Sequence, residues 1–236
     1  MRMRKKKNGE KRLLACDGFI VEKPDLSALC SKTPVWLEIG AGKGGFATGM
    51  TKKNPDVAYF AMERVTDCVV LAAELAKKLN EQEGACGNLR YIIDTADNLT
   101  KLFDEESVDA MFLNFSDPWS KKGYAKRRLT HRRYLAVYFN LLKDGGTLTF
   151  KTDNVGLFDF SLEEISAMGL SCDVVTRDLH NSEYAKDNVV TEYEAAFSSQ
   201  GVKINMLKVT KPQGFKPSID ENLSRDFVAR RYCDEN

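Results

Sequence analysis

Asn114-Phe115-Ser116-Asp117-Pro118-Trp119 leads directly into Ser120-Lys121-Lys122-Gly123-Tyr124-Ala125-Lys126-Arg127-Arg128. The apolar run Val108-Asp109-Ala110-Met111-Phe112-Leu113 before it reads as a buried strand. Pro118 lacks an amide hydrogen and biases Asp117 towards extended backbone, so the strand should end there. A carboxylate, an indole and a dense cationic cluster thus meet where a strand gives way to a loop. In open α/β sheets that carboxyl end is where ligands bind.

Outward from this point, strands and helices alternate. Strands are expected at Val35–Ile39, Ala58–Glu63, Leu89–Ile93, Thr147–Lys151, Cys172–Thr176 and Lys203–Val209. Helices are expected at Phe46–Lys53, Asp67–Glu83, about Tyr134–Leu141 and Leu157–Met168, with Lys143-Asp144-Gly145-Gly146 stopping the third of them. This alternation predicts an α/β fold with a doubly wound, mostly parallel sheet and right-handed crossovers. Residues 1–33 read as a basic arm whose first dozen residues stay mobile while Leu13-Leu14 and Phe19-Ile20-Val21 can dock on the domain, residues 34–211 as the domain, and residues 212–236 as an appendage.

The 236 residues carry 35 Lys and Arg against 34 Asp and Glu, a net charge of +1 that hides a strong asymmetry. Residues 1–12 hold Arg2, Arg4, Lys5, Lys6, Lys7, Lys11 and Arg12 against Glu10 alone, and residues 118–142 contain no acidic residue. Two basic blocks on a near-neutral chain point to a local polyanion-binding surface, with Arg127 and Arg128 as phosphate contacts. The six cysteines are scattered without a C-x-x-C pair, and His131 and His180 are the only histidines, so neither a disulfide framework nor a metal site is expected. No apolar leader or run of about 18 residues is present, which favours a cytoplasmic protein without a membrane segment.

Gly40-Ala41-Gly42-Lys43-Gly44-Gly45 follows the first strand, where glycines allow a tight turn and close approach of backbone to a nucleotide-like ligand. Glu63, ending the second strand, suits a ribose diol. That pair alone fits both NAD and S-adenosylmethionine. Glu38, two residues before Gly40, favours the latter, because its charge suits a cationic amino-acid moiety and repels a pyrophosphate. A P-loop is excluded, since no Lys-Ser or Lys-Thr follows the glycines at the required spacing. Asp94, Thr95 and Asp97 follow the third strand, where an adenine would be bracketed. Spacing leaves open which of them meets it, and Asp97 or Asn98 could equally cap a helix.

With these residues assembled, the chain resembles bacterial tRNA (guanine-N7-)-methyltransferases from about Val35 to Val209. The motifs that carry the resemblance are Leu113-Asn114-Phe115-Ser116-Asp117-Pro118-Trp119 with its basic sequel, Phe150-Lys151-Thr152-Asp153-Asn154, and Thr191-Glu192-Tyr193-Glu194. The resemblance implies a class I methyltransferase fold and methyl transfer from S-adenosyl-L-methionine to N7 of a guanine in the tRNA variable loop. It implies that Glu38, Glu63 and Thr95, beside Gly40 of the turn, contact the cofactor. Asp117 would be both cofactor-contacting and catalytic. Lys121, Asp153, Thr191, Glu192, Tyr193 and Glu194 would contact tRNA. Ser120 stands where many members have proline, Thr95 where many have an acid or amide, and residues 212–236 run past the usual end.

Guanine N7 has an in-plane lone pair and no proton, so no general base is required, and the work is alignment and electrostatics. A folded RNA would be held mostly through phosphates. Two other classes compete: an NAD-dependent dehydrogenase, which leaves the Asp-Pro-Trp stretch and both basic blocks unused, and a non-catalytic RNA-binding protein, which leaves Glu38, the glycines and Glu63 unused. Monomer and homodimer stay equally open.

Overall fold

In the computed structural model, residues 6–25 and 33–218 are described. The strands are β1 (Val35–Ile39), β2 (Ala58–Met62), β3 (Leu89–Ile92), β4 (Val108–Asn114), β5 (Leu142–Thr152), β6 (Val174–Thr176) and β7 (Asn205–Thr210). The helices are α1 (Gly9–Leu14), α2 (Gly45–Lys53), α3 (Thr66–Glu83), α4 (Leu99–Leu102), α5 (Arg132–Leu141), α6 (Val155–Ala167) and α7 (Glu192–Ser198). The strands form one sheet in the order β3-β2-β1-β4-β5-β7-β6. Strands β1 to β5 pair in parallel, and β7 runs antiparallel to both β5 and β6. The expected doubly wound, mostly parallel sheet is the one observed.

A parallel sheet covered on both faces needs apolar side chains in both directions, and the period of two divides them. Val35, Leu37 and Ile39 of β1, with Phe60 and Met62 of β2, join Leu135, Phe139 and Phe158 in one core layer. Tyr59 and Ala61 face the other way, onto Ala72, Ala73 and Ala76 of α3. Trp36, Tyr59, Phe112 and Phe46 pack together with centroids 5.5 to 6.5 Å apart on this second face, Tyr59 stacked on Phe112 and the other pairs edge-on or tilted. The small alanines of α3 let that helix lie close to the sheet.

Three departures from the sequence expectations have local causes. β5 begins at Leu142, directly after α5, and not at Thr147. Leu142 already pairs with Val108, and Lys143–Gly146 form an irregularity before Ala110 meets Thr147. The Gly145-Gly146 pair therefore marks a bulge inside a strand instead of the gap before one. The basic arm is not free over its described part: α1 lies on α3, Arg12 forms a fork with Glu74 at 2.7 Å through both Nε and Nη2, and the Lys6 amide donates to Asp67. Ile20 and Val21, expected to dock, do so by bridging to Tyr91 at the outer edge of β3. The start of the appendage also docks, with Phe215 against Phe139 and Asn140 donating to the Pro217 carbonyl. Arg2, Arg4, Lys5 and residues 219–236 lie outside the described residues.

Gly44 shows how tightly the first crossover is built. It caps α2 at φ 80°, and a Cβ there would run into the Tyr91 hydroxyl and come within 2.8 Å of the Ala72 Cβ. Gly44→Ala combines left-handed backbone with overpacking and should cost about 2–5 kcal/mol. Urea denaturation checks this, and an unchanged midpoint would refute the close packing of α3 beneath the turn.

Candidate active site

The carboxyl ends of β1, β2, β4 and β5 converge on one edge of the sheet. After β1, the amides of Gly40 and Ala41 both donate to the Met62 carbonyl, at 2.8 and 3.0 Å, which folds the turn back onto β2. Gly40 has φ 85° and Gly42 φ 55°, and a Cβ on either would meet nothing within 4 Å. Glu63 braces the turn: one carboxylate oxygen accepts from the Gly42 amide at 3.0 Å and the other from the Val65 amide at 2.8 Å. The open space over Gly40 and Gly42, with an acid at its side, fits a nucleoside-like ligand brought close to backbone.

Glu38 faces the aromatic side of the sheet at 1% exposure. It accepts from the Asn114 amide at 3.1 Å and the Tyr59 hydroxyl at 3.4 Å. Burial pushes its carboxyl up to about 7, although Asn114, the Lys151 charge and Tyr59 pull the other way. Asn114 and Lys151 are register partners on β4 and β5. A short polar row, Glu38, Asn114 and Lys151, therefore crosses three strands inside an otherwise aromatic layer.

Beyond β3, Asp94 closes its own turn by accepting from the Thr95 amide and the Asn98 side chain, each at 2.7 Å. Asp97 accepts from the Tyr134 hydroxyl at 2.8 Å, which directs it to α5. Thr95 is half-buried, and its hydroxyl makes one long contact of 3.4 Å to Asp97. Of the three, Thr95 is the least committed.

Beyond β4, Phe115 at φ 52° and Trp119 at φ 42° bracket Ser116-Asp117-Pro118 in left-handed backbone. The Ser116 hydroxyl is buried without a hydrogen-bond partner among the described residues. Asp117 is exposed, its side chain at 68%, with Arg64 at 3.7 Å as its ion-pair neighbour. Arg128 holds the loop from behind: Nε donates to the Pro118 carbonyl at 2.9 Å, Nη2 to the Trp119 carbonyl at 3.2 Å, and the guanidinium stacks on Phe160.

The basic block thus divides. Arg128, expected at phosphate, is engaged inside the protein. Arg132 forms a fork with Glu164 at 2.9 and 2.8 Å, and Arg133 lies against Tyr134 and Asp97. Lys121 and Lys126 are exposed, and Arg127 lies over the rings of Trp119 and Tyr124 at 5.1 and 4.7 Å.

The remaining sequence-predicted residues gather at the end of β5. Asn154 caps α6 by accepting from the Leu157 amide, which frees half-buried Asp153 from that duty. Partial burial and then the Asp153 carboxylate push the Tyr193 hydroxyl up, and its ring stacks on Phe197 and packs against Phe115. Glu192 is exposed and pairs with Lys43 of the glycine turn at 3.5 Å. Thr191 and Glu194 form a reciprocal capping box that starts α7. Glu194 is not at the surface: at 0% exposure it accepts from Lys151, His180, Asn188 and the Thr191 amide. Burial drives its carboxyl up, but Lys151 and the hydrogen bonds outweigh that and hold it below the usual range. Sequence reasoning passed over Asn114, Lys151, Arg64 and the Arg128 clasp. Lys151 and Asn114 stood inside quoted motifs, and only strand register reveals that they share a face with Glu38.

Among the described residues, no helix is long and apolar enough to cross a membrane, and no group of three or more His, Cys, Asp or Glu is placed to hold a metal. Residues 32–207 match a family model described as a putative methyltransferase. The chain is 39% identical over 216 residues to a tRNA (guanine-N(7)-)-methyltransferase of Streptococcus equi subsp. zooepidemicus, covering 89% of this chain and all of the relative. It is 41% identical over 175 residues to a protein of the same name from Macrococcus caseolyticus, covering 74% and 80%. In fold it is similar to the 16S rRNA methyltransferase KamB, with a TM-score of 0.62 and 14% identity over 81% of this chain and 95% of that one. An antibiotic-related methyltransferase gives 0.56 with 16% identity over 88% and 96%.

The raised Glu38 carboxyl has a sign that can be checked. Its folded value of about 7 exceeds the ordinary 4.5, so the favourable proton is fully held below pH 4.5 and stability is lost as pH rises through 7. Glu38→Gln removes the charge and can still accept from Asn114 through its oxygen, with its amide donating to the Tyr59 hydroxyl. The variant should gain on the wild type between pH 4.5 and 7, by on the order of 3 kcal/mol at most. Denaturant titrations at pH 5 and pH 8 measure this, and an equal difference at both would show that Glu38 ionises without penalty.

Proposed function

Because the chain belongs to the tRNA (guanine-N7-)-methyltransferase family, we propose that it methylates N7 of a guanine in the tRNA variable loop, with S-adenosyl-L-methionine as donor. When bound, S-adenosyl-L-methionine supplies an electrophilic methyl group on a sulfonium centre. Glu63, at the side of the glycine turn, is suited to the ribose hydroxyls, and Thr95 to the adenine edge. Glu38 stands beneath the turn as a buried carboxylate that favours a cationic amino-acid end. The unpartnered Ser116 hydroxyl and the open space over Gly40 and Gly42 support a polar ligand in this cleft.

The observation that carries the reaction is the state of Asp117. Glu38 and Glu63 are already hydrogen-bonded within the protein, whereas Asp117 stands exposed at the end of the central strand with its acceptor lone pairs available. A carboxylate there can accept from the guanine N1–H and exocyclic amine, turning N7 towards the methyl. It also offsets the positive charge that N7 methylation places on the ring. It acts ionised, as an orienter, and takes no proton. Tyr193, Asp153 and Glu192, gathered beyond β5, would form one part of an RNA-contacting rim and Lys121 and Arg127, beyond β4, another, with the cations meeting phosphates. Thr191 and Glu194 serve this rim by shaping the start of α7. A dehydrogenase has no use for this rim, and a non-catalytic RNA binder has none for the cleft.

Incubation of tRNA with the protein and S-adenosyl-L-methionine, followed by nucleoside mass spectrometry, should yield 7-methylguanosine. Asp117→Asn should lower kcat by about 10²–10³, the usual scale for one preorganised electrostatic contact, with cofactor affinity little changed. Near-normal single-turnover methylation by the folded variant would remove Asp117 from the chemistry. The two neighbouring arginines should part company. Arg127→Ala should flatten the salt dependence of tRNA affinity by about 0.7–0.9 in slope, the share of one phosphate. Arg128→Ala should leave that slope alone and reduce kcat, because the Asp117 loop loses its clasp. Identical salt slopes for Arg127→Ala and wild type would place Arg127 off the RNA path.

A further inference from the structure

We infer that Lys151 is a positioning residue through which binding of RNA at the 188–194 segment and binding of cofactor at the glycine turn are coupled. The inference rests on the proposed reading of those two regions. Lys151 is the last residue but one of β5, at 2% exposure. Its ammonium donates to Glu194 Oε2 at 2.8 Å, Asn188 Oδ1 at 2.9 Å and the Val189 carbonyl at 3.1 Å. Three acceptors use all three N–H donors of a lysine, so the group is saturated by one seven-residue stretch of chain. The same ammonium lies over the rings of Phe46, at 4.8 Å, and Phe115, at 5.9 Å.

These contacts belong to three functional elements. Phe46 is in the first turn of α2, immediately after the glycines. Phe115 precedes Ser116 and Asp117 and holds left-handed backbone. Asn188, Val189 and Glu194 belong to the segment that bears Glu192 and Tyr193. That segment is laid across α2: Val189 leaves no room for a side chain at Gly49, and Glu192 comes within 3.7 Å of where a Cβ on Gly45 would stand. Movement of the 188–194 segment on binding RNA therefore acts on α2 and Phe115 through contacts that one buried charge holds in register, and movement of the turn on binding cofactor acts back by the same route. Lys151 need touch neither ligand.

A simple structural ion pair would hold the fold equally well, so the test removes the pair as a pair. Lys151→Met alone strands a buried Glu194 and is expected to destabilise the protein. Lys151→Met/Glu194→Gln removes both charges and nearly keeps the side-chain shapes, with one amide oxygen left to accept from His180 and Asn188 and the Thr191 hydroxyl still capping the 194 amide. Isothermal calorimetry gives the dissociation constant of S-adenosylhomocysteine with and without saturating tRNA, for wild type, the double variant and Lys151→Arg. Methylation kinetics are run alongside. The wild type should show tRNA tightening the cofactor about fivefold or more, a typical coupling between sites. The double variant, with wild-type thermal stability restored, should bring that factor to near one and raise the tRNA KM about tenfold. Lys151→Arg should retain part of the coupling. An undiminished factor in the stable double variant would overturn the inference, as would a factor of one in an active wild-type enzyme. Absence of 7-methylguanosine in the wild-type reaction would instead overturn the functional reading on which it rests.

Discussion

A fully dry ion pair, Lys151 with Glu194, sets the arrangement of this protein's working edge. Taking two charges out of water is costly, and such a pair persists only when the remaining donors and acceptors are satisfied. Here they are: Asn188, His180, the Val189 carbonyl and the Thr191 amide complete both partners. The geometry that meets this condition also fixes where the chain between β6 and β7 must run. It brings Tyr193 to Phe115 and Glu192 to Lys43, and so closes one side of the cleft above the glycine turn. Glu38, at the other end of the same polar row, lacks such a cation at bonding distance and meets its burial with two neutral donors.

The electrostatics of the surface differ from the arithmetic of the sequence. The block from residue 118 to 142 reads as a run of cations, yet Arg128 and Arg133 are turned onto backbone carbonyls and Asp97, and the exposed Arg132 is paired with Glu164. Arginine suits this work, since its planar fork makes two directed bonds and stacks on a ring as well. Among the described side chains of the block, the cations left without a carboxylate partner form a more local field around Lys121, Lys126 and Arg127. The amino-terminal block divides in the same way, with Arg12 held by Glu74.

The alternating strands and helices were legible because parallel sheets demand long apolar runs punctuated by turns, and each run here, from Val35 to Asn114, has clear ends. β5 was misjudged at its start because a bulge carries the same glycines as a boundary. α1 was missed because six residues are too few for a helical period, and its stability comes from Arg12 and Leu13 against α3. In the site, Glu63, Asp117 and the glycines were evident from their place at strand ends. The roles of Lys151, Asn114 and Arg128 depend on register and on contacts 10 to 76 residues apart along the chain, which no local pattern encodes. Glu194 shows the same limit from the other side, since a glutamate in a polar motif carries no sign of being buried.

The order of the strands also bears on how the protein comes off the ribosome. Lys151 precedes its partner by 43 residues, and β7, which seals the sheet beside β5, comes later still. At about 5–20 residues per second, several seconds separate the emergence of the lysine from that of the carboxylate that neutralises it. During that interval β1 to β4 can assemble around α2 and α3, but the end of β5 holds an ammonium that cannot be buried alone. Completion of the sheet is thereby deferred until the 188–194 segment has been made. The nascent domain cannot close around its cleft before the cleft has its far wall.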